Sequence, residues 1–184
     1  EAVALAAEAA NSITVGDPHD PNTIVGPLVA ERQRTRVLEY VEIAKAEGAR
    51  VAAGGGRPAS LPKGLYVEPT VLADVTPKMR VAQEEIFGPV VAFLAHDGDD
   101  AAVAIANDSD FGLAGGVWSA DDHRALAVAR KVRTGTISVN GTPSPFPYVP
   151  FGGVKRSGLG RELGPEGLAS FLEPKSIGLP PGLH

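Results

Sequence analysis

The chain predicts an α/β fold: an open, twisted, mainly parallel sheet with flanking helices. Two observations carry this prediction. Between Val90 and Asn140 short apolar runs alternate with helical stretches in the order β, α, β, α, β, the pattern of strands joined by right-handed helical crossovers. The 184 residues are 43% hydrophobic and 21% charged, an ordinary balance for a soluble globular chain long enough to bury one core.

Residues 1–10 are alanine-rich and read as the interior of a helix with no capping residue ahead of it. Helical periodicity is clearest from Leu28 to Ala46, where Val37, Tyr40, Val41 and Ala44 share one face and Glu31, Arg32, Arg34 and Glu42 are left to water. Gly48 ends that helix. Arg50 to Ala53 is an apolar strand, and Gly54-Gly55-Gly56 with Pro58 to Pro62 reads as a surface loop. Tyr66 to Val75 alternates and is interrupted only by Pro69, which predicts a strand that lies at an edge or bends. Val90, Val91, Phe93 and Leu94 form a short apolar strand expected to be covered on both faces.

Asp99 and Asp100 place negative charge at the start of a helix that runs to Asn107. Gly115 to Ser119 is a strand, Asp121-Asp122 open a helix, and Gly135 to Asn140 is a strand. Gly164 to Leu172 is a short helix and Pro174 to Leu179 an extended tail. No internal repeat or low-complexity linker interrupts the chain.

The net charge of −5 gives no reason to expect nucleic acid. No apolar run approaches the ~18 residues of a membrane span. The alanine-rich opening carries Glu1 and Glu8 and no basic leader, so it does not read as a signal peptide, and a cytoplasmic setting is expected. With no cysteine there is no disulfide. His19, His96, His123 and His184 lie far apart without ligand spacing, so no metal site is expected.

Chemistry concentrates in two segments. Gln83-Glu84-Glu85-Ile86-Phe87-Gly88-Pro89-Val90 joins two carboxylates to an aromatic and a Gly-Pro turn. At a strand entrance Glu85 and Phe87, two apart, would project to the same side. The segment Pro150 to Gly164 mixes glycines, Phe151, Lys155, Arg161 and Glu162. Together these segments resemble the aldehyde dehydrogenase superfamily, NAD(P)-linked enzymes that oxidise aldehydes to carboxylic acids. The resemblance extends in order through Gly16-Asp17-Pro18, Gly26-Pro27-Leu28, Gln33, Gly54-Gly55-Gly56, Pro69-Thr70-Val71, Phe111-Gly112-Leu113, Val139-Asn140 and Glu173-Pro174-Lys175.

The resemblance implies an NAD or NADP cofactor, with Glu85 holding the nicotinamide ribose, Phe87 beside the nicotinamide and Gln33 reaching the adenosine side. For Gln33 a solvated helix position is an equal alternative. Phe151 is implied to line the aldehyde path, as is Phe146 in the preceding proline-rich loop from Gly141 to Val149, which reads either as tunnel wall or as a stiff surface loop. Glu162 is implied as an accessory catalytic carboxylate, with an ion pair to Arg161 as the structural alternative. Lys155 and Ser157 read as loop-fixing groups. Glu173 is implied at a homo-oligomer interface, dimeric or tetrameric, on a C-terminal extended oligomerisation arm over residues 173–184. Residues 1–172 are then a partial catalytic domain.

In the family a cysteine thiolate carries the aldehyde as a thiohemiacetal and then a thioester, which water hydrolyses. This chain lacks that cysteine and begins without methionine. It is therefore expected to be a fragment, inactive alone and downstream of the nucleophile. An acyl-CoA-forming aldehyde dehydrogenase and a non-catalytic oligomerising module remain the alternatives.

Overall fold

Helix α2 (Glu31–Ala46) organises the first part of the chain because its apolar residues fall on one stripe: Val37, Tyr40, Val41 and Ala44 are all buried, as their spacing predicts. The computed structural model describes residues 1–141 and 146–182. They divide into two compact units, residues 1–105 and 106–184.

The first unit contains α1 (Ala2–Ser12), α2, β1 (Arg50–Ala53), β2 (Thr70–Ala73), the single-turn α3 (Arg80–Gln83) and β3 (Val90–Ala92), and most of α4 (Gly98–Asn107). Helix α2 stops where predicted: Gly48 takes φ +102°, a conformation glycine adopts without a side-chain clash, and Ala49 N–H returns to Ala44 O at 2.8 Å. The sheet order is β1-β2-β3, with β1 antiparallel and β3 parallel to β2.

Every residue of β2 is buried, and the period of two divides its contacts. Leu72 joins Tyr40, Ala44, Ala49, Val75, Met79 and Val81, whereas Val71 joins Ala10 and Ala53 in a second cluster with Val3, Ala6 and Ala7 of α1. Burying side chains of this size contributes about 1.5–3 kcal/mol each.

Two strand expectations are corrected here. The run 66–75 is not an edge strand: β2 is central, and it starts after Pro69, whose missing N–H therefore never enters the ladder. Conversely, β3 is an edge strand in this unit and not covered on both faces, since Val91 is 46% exposed.

The second unit contains β4 (Phe111–Gly112), β5 (Ala114–Val117), α5 (Asp122–Ala129), β6 (Thr136–Val139), β7 (Val154–Lys155) and α6 (Gly164–Ala169). Asp121 caps α5 by accepting from His123 N at 2.9 Å and Arg124 N at 3.1 Å. Buried Ala125 and Ala129 give that helix its inner face. Strands β5 and β6 pair in parallel and β4 and β7 antiparallel.

The α/β class and the parallel pairs β2/β3 and β5/β6 match the prediction, but the described ladders form a three-stranded sheet and two pairs. Alternation of elements specifies which consecutive strands run parallel; it does not specify which short ladders join side by side. Residues 173–182 are exposed and lie in no helix or strand. No helix among the described residues is long and apolar enough to cross a membrane, and they contain no cluster of three metal-ligating side chains.

Candidate functional site

In the first unit the turn from Glu84 to Pro89 lies against α2. Four α2 residues, Gln33, Arg36, Val37 and Tyr40, follow the i, i+3, i+4, i+7 spacing that puts them on one stripe. Three consecutive carbonyls of the turn accept donors from that stripe. Arg36 Nη2 donates to Glu85 O at 2.7 Å, while Gln33 Nε2 donates to Ile86 O at 3.2 Å and to Phe87 O at 2.5 Å. The approach is so close that a Cβ on Gly88 would stand 2.4 Å from Val37 Cγ2, so only glycine permits it.

What the turn presents outward is an exposed Glu85, whose carboxylate has no partner among the described residues, and the Phe87 ring, 70% exposed. Phe87 adopts φ +56°, the left-handed region that costs a residue with a Cβ about 1–2 kcal/mol. The three hydrogen bonds from α2 hold the turn that carries this left-handed residue.

The expected side-by-side projection of Glu85 and Phe87 from a strand is corrected. The ladder starts only at Val90, and the left-handed Phe87 breaks the alternation on which the two-residue rule depends. Gln33 is not left to solvent: its amide nitrogen is engaged with the turn. Glu84 is the other surprise. It receives the Tyr40 hydroxyl and both Nε and Nη2 of Arg80 at 2.9 Å. These hydrogen bonds, Arg80 first and Tyr40 second, hold its carboxyl at about 2, down from an ordinary 4.5. Tyr40 was legible in the sequence only as part of the buried helix face, and Glu84 and Gly88 only as members of the motif, although the helical spacing of Gln33, Arg36 and Tyr40 could have found the brace.

In the second unit Phe151 and Glu162 come together as an isolated antiparallel bridge. The Glu162 carboxylate is exposed and without a partner among the described residues. The alternative, an ion pair with Arg161, is not formed: Arg161 Nη1 donates to Gly153 O at 2.8 Å and Gly160 O at 2.7 Å, closing the glycine-rich loop on itself. Lys155 and Ser157 fix the loop as expected. Lys155 Nζ donates to Asn107 O at 2.9 Å and Ser109 O at 2.6 Å, and Ser157 Oγ accepts from Gly112 N at 2.9 Å.

A cavity of about 380 Å³ opens beside Phe151 and Glu162, lined also by Leu113 and Leu159. Phe146 and Tyr148 are exposed and stack with centroids 5.6 Å apart. The part of the predicted tunnel wall from Thr142 to Pro145 lies outside the described residues, as does His184.

An α/β chain with this braced acidic-aromatic turn and this glycine-rich loop has clear relatives. It matches the aldehyde dehydrogenase family over residues 1–177 and belongs to that family. Geranial dehydrogenase of Castellaniella defragrans is 47% identical over 177 residues, covering 96% of this chain and 36% of that protein. Betaine aldehyde dehydrogenase of Brucella melitensis is 46% identical over 172 residues, covering 92% and 35%. Among solved structures, an aldehyde dehydrogenase of Mycobacterium tuberculosis complexed with NAD+ superposes with a TM-score of 0.91 at 48% identity, covering 96% of this chain and 36% of that one. Betaine aldehyde dehydrogenase of Staphylococcus aureus in complex with NAD+ gives 0.87 at 42% identity, covering 90% and 33%. The chain thus spans about a third of the length of the relatives it matches.

Proposed function

We propose that the chain is part of an NAD(P)-dependent aldehyde dehydrogenase that oxidises an aldehyde to a carboxylic acid. One observation carries the reading: Glu85 is an exposed, partnerless carboxylate on a turn whose backbone is fixed from behind by Gln33 and Arg36. A free carboxylate on a rigid support fits a vicinal diol, accepting from both hydroxyls of a ribose without first breaking an internal bond. The exposed Phe87 ring fits a flat neighbour such as nicotinamide. Bound there, NAD(P) supplies the hydride acceptor. The relatives' NAD+ complexes support the same cofactor class.

Phe151 and Phe146 are assigned to the aldehyde path, and the Glu162 carboxylate to orienting water or moving a proton when the acyl thioester is hydrolysed. The thiol that forms the thiohemiacetal and thioester comes from a cysteine outside these residues, since the chain has none. In this reading residues 1–172 are catalytic-domain structure and residues 173–184 an arm, with Glu173 near the contact between subunits of a cytoplasmic homo-oligomer.

The test is Glu85→Gln in the full-length protein, with NAD and NADP titrated calorimetrically. Loss of charge-assisted bonds worth about 1.5–3 kcal/mol should raise the Kd roughly ten- to a hundredfold. An unchanged Kd for both dinucleotides overturns the assignment.

A further inference from the structure

Resting on that reading of Glu85 and Phe87, we infer that Tyr40 and Arg36 are positioning residues for the dinucleotide, acting through the backbone of the Glu85–Phe87 turn. Their hydrogen bonds form a directed chain. Arg36 Nη2 donates to Glu85 O at 2.7 Å and to the Tyr40 hydroxyl at 3.1 Å; that hydroxyl donates its own proton to Glu84, which Arg80 grips through two nitrogens. The Tyr40 residue is buried, and its hydroxyl is engaged by Arg36 and Glu84.

The Tyr40 ring is itself held by two guanidinium groups, with Arg36 Cζ 4.8 Å and Arg80 Cζ 5.4 Å from its centroid. Arg36 is thereby fixed at its far side before it reaches Glu85. With Gln33 on the next two carbonyls, a segment that belongs to no helix or strand is left one backbone geometry.

The consequence is preorganisation. Ordering a free backbone segment costs conformational entropy, and a turn already ordered by α2 does not incur that cost when a ligand binds. Loosening the chain should therefore weaken dinucleotide binding while leaving the aldehyde KM in place, a split that general loss of structure would not give.

The experiment uses the full-length protein with Tyr40→Phe, which keeps the ring and both guanidinium contacts and deletes only the hydroxyl. Arg36→Gln, at an exposed position, is the second variant should the first fold poorly. Readouts are the NAD Kd by calorimetry, the aldehyde KM, and amide hydrogen exchange of the peptide spanning residues 84–88 in the ligand-free protein. Each variant is expected to accelerate exchange in that peptide and raise the Kd about three- to tenfold, with the aldehyde KM unchanged.

Glu85→Gln measured alongside separates the two ideas. If Glu85→Gln raises the Kd but both positioning variants leave exchange and Kd unaltered, the inference is overturned and the ribose reading stands. If Glu85→Gln leaves the Kd unaltered, the ribose reading fails and the inference with it.

Discussion

Phe151 and Glu162 exchange both backbone hydrogen bonds, Phe151 N to Glu162 O and Glu162 N to Phe151 O, each at 2.7 Å. A hydrogen-bonded antiparallel pair holds its two Cα atoms about 5.5 Å apart and sends both side chains to the same face. The aromatic assigned to the aldehyde path and the carboxylate assigned to proton movement are thus neighbours across eleven positions of sequence, because the glycine-rich loop between them folds back. Arg161, bonded to Gly153 O and Gly160 O, closes that loop.

The two side chains should separate kinetically. In the full-length protein Phe151→Ala is expected to raise the aldehyde KM roughly tenfold, as loss of apolar contact in a pocket does. Glu162→Gln should lower kcat by about a hundredfold, the lower end of acid–base contributions. Neither change should move the NAD Kd. Steady-state kinetics with varied aldehyde, together with calorimetric titration of NAD, check all three statements.

Phe87→Gly should stabilise the fold while damaging the site. Glycine accepts φ +56° without the strain of a Cβ, and the ring it removes is mostly exposed. Relief of about 1–2 kcal/mol less the roughly 0.5–1 kcal/mol entropic cost of glycine leaves a net gain of about 0–1.5 kcal/mol. Urea denaturation should show the higher midpoint, and NAD titration the weaker binding that a lost aromatic neighbour brings.

Acid stability should depend on Glu84. Its carboxyl is held at about 2 in the folded chain, first by Arg80 and then by Tyr40, against an ordinary value of 4.5. A depressed folded value contributes stability that is present above pH 4.5 and is lost as pH falls through about 2. Tyr40 moves the other way: its hydrogen bond to Glu84, then burial, raise its value above 10, so its contribution is present below pH 10 and lost as pH rises beyond that. Melting temperature against pH for Glu84→Gln should show a flatter acid limb than the parent between pH 4.5 and about 2.

Deleting residues 173–184 tests the proposed arm. Residues 173–182 include Ile177 at 71% and Leu179 at 58% exposure, and lie in no helix or strand of their own chain. Their unpaired backbone groups and apolar side chains suit the sheet edge of a second subunit. Light scattering of the truncated full-length protein should report a smaller assembly, and an unchanged mass would rule the arm out.

The main helices and their stops were legible in the sequence, as was the family, whereas α3, β4 and β7 were not. Residues 31–46 carry a 3.6-residue apolar period, Gly48 is the glycine a left-handed helix end needs, and Asp121 is a cap two and three residues ahead of the amides it serves; each is a rule between near neighbours. The ordered short motifs identified the family through residue type alone, and Lys155 and Ser157 were readable as loop anchors.

Tertiary structure decided the rest, because the deciding contacts join residues far apart in sequence. Gln33 and Phe87 are 54 positions apart, and only the packing of Gly88 on Val37 brings that amide to the turn. The left-handed backbone at Phe87, which cancels the two-residue alternation, follows from that docking and from no local propensity of phenylalanine. The central place of β2 was equally invisible: a strand after a proline is free to be an edge or a centre, and burial between α1 and α2 chose the centre.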